Sequence, residues 1–142
     1  MWTRRDCTIL SVDEKKAIIN YRIQKSYGNL NEAKEVAKLG FWNLVGNRFY
    51  YSAFHMTSVL LLDKGLASCF HSGMIHLIGT QFVVKGLLDK SYGRLLSRLF
   101  ELRQSGDYDD LYDATEDEVV PYIDKTFQFI QDMEKLIVFK GE

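Results

Sequence analysis

The sequence predicts an all-α fold, an antiparallel bundle of about five helices forming a single domain over residues 1–142. Three observations carry this prediction. Apolar residues recur at three- and four-residue steps, two capping boxes mark helix starts, and no segment sustains period-two alternation between turn signals. A chain of 142 residues with 46% hydrophobic and 26% charged residues can bury one core without metal or disulfide staples. A single proline and the lack of low-complexity tracts leave no linker to divide it.

The first helix is expected over 12–38. Ser11-Val12-Asp13-Glu14 has the form of a capping box, and Ile18, Ile19, Ile23, Leu30, Ala33 and Val36 follow at helical spacing. Gly28 weakens its middle by roughly 1 kcal/mol relative to alanine. Gly40 ends it, because glycine accepts the left-handed backbone that helix C-termini often need. A second helix is expected over 42–64, stopped at Gly65, and a third over 72–85, stopped at Gly86. The fourth spans 90–103, with Leu95, Leu96, Leu99 and Phe100 on its apolar face, and Gln104-Ser105-Gly106 is read as a loop. Thr115-Glu116-Asp117-Glu118, the second capping box, opens a last helix over 116–139, and Pro121 falls in its first two turns, where proline is tolerated.

Composition narrows the function classes. Cys7 and Cys69 have no metal-ligand spacing, which fits a reducing, cytoplasmic setting. The N-terminal residues lack an apolar stretch of signal-peptide length, and the apolar cluster at Val59–Leu62 is far too short for a bilayer. Net charge is −1, but it is unevenly spread: 15 basic and 8 acidic residues precede Gln104, and 3 basic and 11 acidic follow from there. The basic part could attract phosphates, or the two parts could neutralise each other within one bundle.

The second helix carries the most unusual stretch, Asn47-Arg48-Phe49-Tyr50-Tyr51-Ser52-Ala53-Phe54-His55. Arg48, Tyr51, Ser52 and His55 fall on one helical stripe, with Asn47, Tyr50, Phe54 and Ser58 beside it. A guanidinium, a phenol, a hydroxyl and an imidazole could hold a phosphate and exchange a proton. The same residues could instead tie helices together through buried hydrogen bonds, with the tyrosines as core. Arg103 continues the apolar stripe of the fourth helix, so its guanidinium needs a partner, for which Asp107 and the Tyr108 hydroxyl are nearest in sequence. His71 and His76 are spaced wrongly for a shared metal, although His71 could cap the third helix or sit at its amide-rich end. No metal site is expected, and no cofactor, kinase, GxSxG or dinucleotide fingerprint is present.

With these residues in view, the chain resembles the HEPN superfamily, in particular its small members whose second helix reads Asn-Arg-X-Tyr-Tyr-X-Ala-Phe-His. Four segments match in order: residues 47–55, then His71-Ser72-Gly73-Met74-Ile75, then Phe82-Val83-Val84-Lys85-Gly86, then Leu102-Arg103 followed by Asp107-Tyr108. The resemblance implies a bundle of about five helices, commonly dimeric, associated with small nucleotidyltransferases in toxin–antitoxin pairs and binding nucleotides or RNA. It also implies that active ribonucleases carry an arginine followed after four to six residues by histidine. Here Tyr108 stands where that histidine is expected and no histidine follows, so the motif at Arg103 is incomplete.

The expected function is therefore a binding subunit more than an enzyme. Arg48, Tyr51, His55, His71, Arg103, Asp107 and Tyr108 form the candidate nucleotide or RNA site, arginine taking phosphate and tyrosine the base or ribose. One alternative is metal-independent RNA cleavage, with His55 as general base and Arg48 or Arg103 stabilising the charged transition state. The other is a non-catalytic helical scaffold. A homodimer is expected, its two-fold axis beside the second helix, where two shallow polar stripes would join into one cleft.

Overall fold

The computed structural model describes residues 11–66, 71–108 and 111–138, and the side chains at 71 and 72 fall outside that description. Cys7 and Cys69, and so the reading of the cysteines, lie outside the described residues. The helices are α1 (Val12–Lys38), α2 (Trp42–Asp63), α3 (His71–Ile78) continued by a π-helical turn (Gly79–Val83), α4 (Ser91–Tyr108), α5 (Glu116–Val119) and α6 (Pro121–Lys135). No strand occurs among the described residues, and the architecture is an all-α bundle.

The start of α1 is held by both arms of its capping box: Glu14 N donates to Ser11 Oγ at 3.1 Å and Ser11 N to Glu14 Oε1 at 3.3 Å. Its end is a Schellman turn. Phe41 N donates to Val36 O and Gly40 N to Ala37 O, with Gly40 at φ 77°. That reversal sends α2 back along α1. Lys15 meets Asp63, Arg22 meets His55, Ser26 meets Ser52 and Asn29 meets Arg48, so the two helices run antiparallel.

Helix α2 is the axis of the bundle and packs against α1, α3, α4, α5 and α6. Phe49, Tyr50, Ala53, Met56, Val59, Leu60 and Leu61 are all buried, so it is apolar on most sides, as a central helix must be. Each such large side chain contributes about 1.5–3 kcal/mol of burial free energy. From α6, Phe129, Ile130 and Met133 complete the core, and Tyr27 of α1 donates to Glu134 Oε1 at 2.5 Å to fix that helix against the first.

Three expected boundaries change. The segment Gln104-Ser105-Gly106 is helical, and α4 runs on to Tyr108. Tertiary packing decides this, since Gly106 passes so close to α2 that a Cβ there would lie 3.3 Å from Asn43 Oδ1. The expected 72–85 helix becomes eight α-helical residues and a π turn, in which Val84 N reaches back to Gly79 O, before the chain stops at Gly86. The expected 116–139 helix is divided: Thr115 caps a four-residue α5, and α6 restarts with Pro121 at its first turn and ends at Lys135. Residue 139 lies outside the described residues.

Candidate functional site

The polar stripe of α2 faces a matching polar line on α1. Arg22, Ser26 and Asn29 lie one turn apart on the buried side of α1, opposite His55, Ser52 and Arg48. At the centre Ser26 Oγ donates to Ser52 O at 2.7 Å and Ser52 Oγ to Ser26 O at 2.6 Å, a reciprocal clamp with both residues fully buried. Ser52 is therefore a helix fastener. To one side, the Arg22 guanidinium lies 3.3 Å from His55 Nδ1. A guanidinium only donates, so Nδ1 accepts and the imidazole is neutral in this contact. Burial first, and then the positive charges of Arg22, Lys25 and Arg48, lower the His55 pKa from 6.5 to about 4.

On the other side, Arg48 belongs to a second network that crosses to α4. Its Nε and Nη2 donate to Asn47 Oδ1 at 3.0 and 2.6 Å, and Asn47 Nδ2 donates to Asp107 Oδ2 at 2.7 Å. The same carboxylate oxygen lies 3.4 Å from Arg103 Nε. Arg103 Nη2 donates to Tyr51 Oη at 2.9 Å and to Tyr108 Oη at 3.1 Å. Its guanidinium sits 5.0–5.7 Å from the ring centres of Tyr50, Tyr51 and Tyr108, and Arg48 lies 5.6 Å from that of Tyr51. Two arginines from different helices thus share one phenol between them and one amide–carboxylate bridge beneath.

Within this network the Arg103–Asp107 contact is an ion pair by distance only. The buried Nε has no hydrogen bond, because the approach of the carboxylate is poorly directed. The acidic stretch after α4 is otherwise held by α2: Asn43 Nδ2 donates to Asp113 Oδ1 and Asn43 Oδ1 accepts from Ala114 N at 2.7 Å. Those contacts set the Asp113 carboxylate beside the N-terminus of α2, which no side chain caps and where negative charge is favoured.

Of the seven predicted site residues, Arg48, Tyr51, Arg103, Asp107 and Tyr108 come together. His55 does not join them through a hydrogen bond, and is turned to Arg22 across the α1–α2 seam. His71 has its backbone at the start of α3, and its side chain lies outside the described residues. Two participants were not assigned to the site from sequence. Asn47 was placed on the adjoining stripe, yet it joins Arg48 to Asp107. Arg22 was passed over in favour of its apolar neighbours, although Arg22, Ser26 and Asn29 at steps of four and three form a polar line that could have been read.

A cavity of about 390 Å³ opens beside Arg48, lined also by Asn31, Glu32, Glu35, Val36 and Leu44. Two carboxylates against one guanidinium make it a poor seat for an anion. A larger cavity of about 710 Å³ lies between α4 and α6 and touches none of the predicted residues. Among the described residues no group of three His, Cys, Asp or Glu could hold a metal ion, and no helix is long and apolar enough to cross a membrane.

Residues 19–136 match the HEPN domain family, which spans every element of the network above. The chain belongs to that family. It is 36% identical over 126 residues to a UPF0332 protein of Thermotoga maritima, covering 89% of this chain and 96% of the relative. It is 32% identical over 130 residues to a protein of Methanocaldococcus jannaschii whose name describes a candidate toxin, covering 86% of this chain and 96% of that one. A UPF0332 protein of Archaeoglobus fulgidus is 29% identical over 113 residues, covering 80% of this chain and 90% of the relative.

Proposed function

We propose that this chain is a binding subunit of a toxin–antitoxin-like pair, holding the phosphate of a nucleotide or of RNA at the Arg48–Tyr51–Arg103–Tyr108 network. The observation that carries the reading is the junction of two guanidinia over Tyr51, with Arg103 Nε buried and lacking a hydrogen bond. An oxyanion replacing the Asp107 carboxylate would satisfy that donor and lie within reach of the Tyr108 hydroxyl. Tyr108, 67% exposed, offers a ring for a base or ribose. The relatives named as candidate toxins support the toxin-like half of the reading. The partner is a nucleotidyltransferase, and the subunit works in the cytoplasm as a homodimer.

Titration calorimetry with AMP, ATP and GTP, with and without Mg²⁺, tests the site. Saturable binding weakened about tenfold by Arg48→Ala, the loss of one charge-assisted contact, supports it. No heat at millimolar ligand overturns it. The ribonuclease alternative needs His55 as a base, and its lowered pKa and its contact with Arg22 favour the binding reading. Incubation with total RNA beside a His55→Ala control separates the two.

A further inference from the structure

The 710 Å³ cavity between α4 and α6 is not used by the network above. The two helices touch at each end of it. At one end the Tyr92 ring packs 4.7 Å from that of Phe129, and its hydroxyl donates to Asp132. At the other, the Arg98 guanidinium lies 6.0 Å from the Tyr122 ring centre. Between these contacts the buried Leu95 forms the floor, and Arg94 and Lys125, both exposed, stand on opposite walls. Lys125 Nζ is 5.5 Å from the Tyr122 ring centre.

We propose that this groove is a second site, distinct from the Arg48–Arg103 network, for one nucleoside monophosphate unit, free or at the 5′ end of a strand. Its volume is that of a small-molecule pocket. Its lining carries Arg94, Arg98 and Lys125 against Asp124, with Arg98 paired to Glu101 at 3.3 Å and Asp132 at the Tyr92 end, so the cations offered to a phosphate are Arg94 and Lys125. Phosphate goes to Arg94 and Lys125, and the base lies over Leu95 against the Tyr122 ring, the mixture of cation and aromatic surface that binds nucleotides without reading their sequence. The amide end of α4 is not the anchor, because Ser91 N is already bonded to Asp89 Oδ1 at 2.9 Å.

The test is a ¹⁵N-edited NMR titration of the full chain with AMP and, separately, with a 5′-phosphorylated and a 5′-hydroxyl tetraribonucleotide. Saturable shifts over 91–98 and 121–128, weakened about tenfold in the Arg94→Ala/Lys125→Ala double variant and retained in Arg48→Ala, are the expected result. Shifts with AMP assign a free nucleotide. Shifts with the 5′-phosphorylated strand alone assign a strand end. No saturable shift in these segments, or shifts indifferent to the double variant or to the 5′-phosphate, would overturn the site. Retention in Arg48→Ala keeps this outcome separate from the fate of the first site.

Discussion

Arg103 Nη2 lies 2.9 Å from Tyr51 Oη, so the guanidinium at the end of α4 is fixed to the central helix by a phenol that also faces Arg48. Arg103 is only 13% exposed in its side chain. A hydrogen bond to such a charged group is worth about 1.5–3 kcal/mol. Tyr51→Phe keeps the ring and removes only that bond. Chemical denaturation of the variant is expected to show a loss in this range, and an unchanged midpoint would mean that the network does not hold α4 to α2.

The serine clamp makes a second expectation. Ser26→Ala and Ser52→Ala should each cost about 1 kcal/mol, since each deletes one buried hydroxyl–carbonyl bond. The two hydroxyls are 3.3 Å apart, so the double variant should depart from additivity by about 0.5 kcal/mol or more. Strict additivity in a double-mutant cycle would show two independent bonds instead of a clamp.

Acid should weaken the fold through His55. Its folded pKa of about 4 lies below the ordinary 6.5, so between those values the unfolded chain binds more protons. The stability His55 contributes is therefore complete above about pH 6.5 and is lost as pH falls towards 4. An NMR titration of the imidazole should give a midpoint near 4, moved upwards in Arg22→Ala. A midpoint at 6.5 in the parent would place the ring in solvent.

Two glycines should respond oppositely to alanine. Gly28 lies inside α1 with nothing within 4 Å of a Cβ, so Gly28→Ala should raise stability by about 1 kcal/mol. Gly106→Ala gains the same helix propensity, but its Cβ would press on Asn43, whose Oδ1 already accepts from Ala114 N. Calorimetric Tm values should rise for the first and not for the second.

That pair of glycines also shows how far the sequence could be read. Local signals placed what local physics decides. The Ser11 box opens α1, the Thr115 box opens α5, and Gly40 closes α1 at positive φ. Gly106 misled, because the same residue type serves a loop and a close helix contact, and only the position of Asn43 tells them apart. At the site, Arg48, Tyr51 and Arg103 stood out as polar groups on helix faces. Their joining through Asn47 and Asp107 is a contact between residues sixty apart, which spacing along one helix cannot show. His55 shared a stripe with Arg48, yet a stripe is wide enough for the imidazole to turn towards α1 while the guanidinium bonds to Asn47.

The decisive measurement is whether Arg48 and Arg103 act on a ligand as one unit. Affinity for the nucleotide or short RNA that binds best should be measured for Arg48→Ala, Arg103→Lys and the double variant, after confirming that each folds. Each single change should weaken binding about tenfold, and the double variant should fall short of their product with a coupling of about 1 kcal/mol, as expected of two guanidinia that would hold one phosphate. Binding that is indifferent to both substitutions would contradict that expectation.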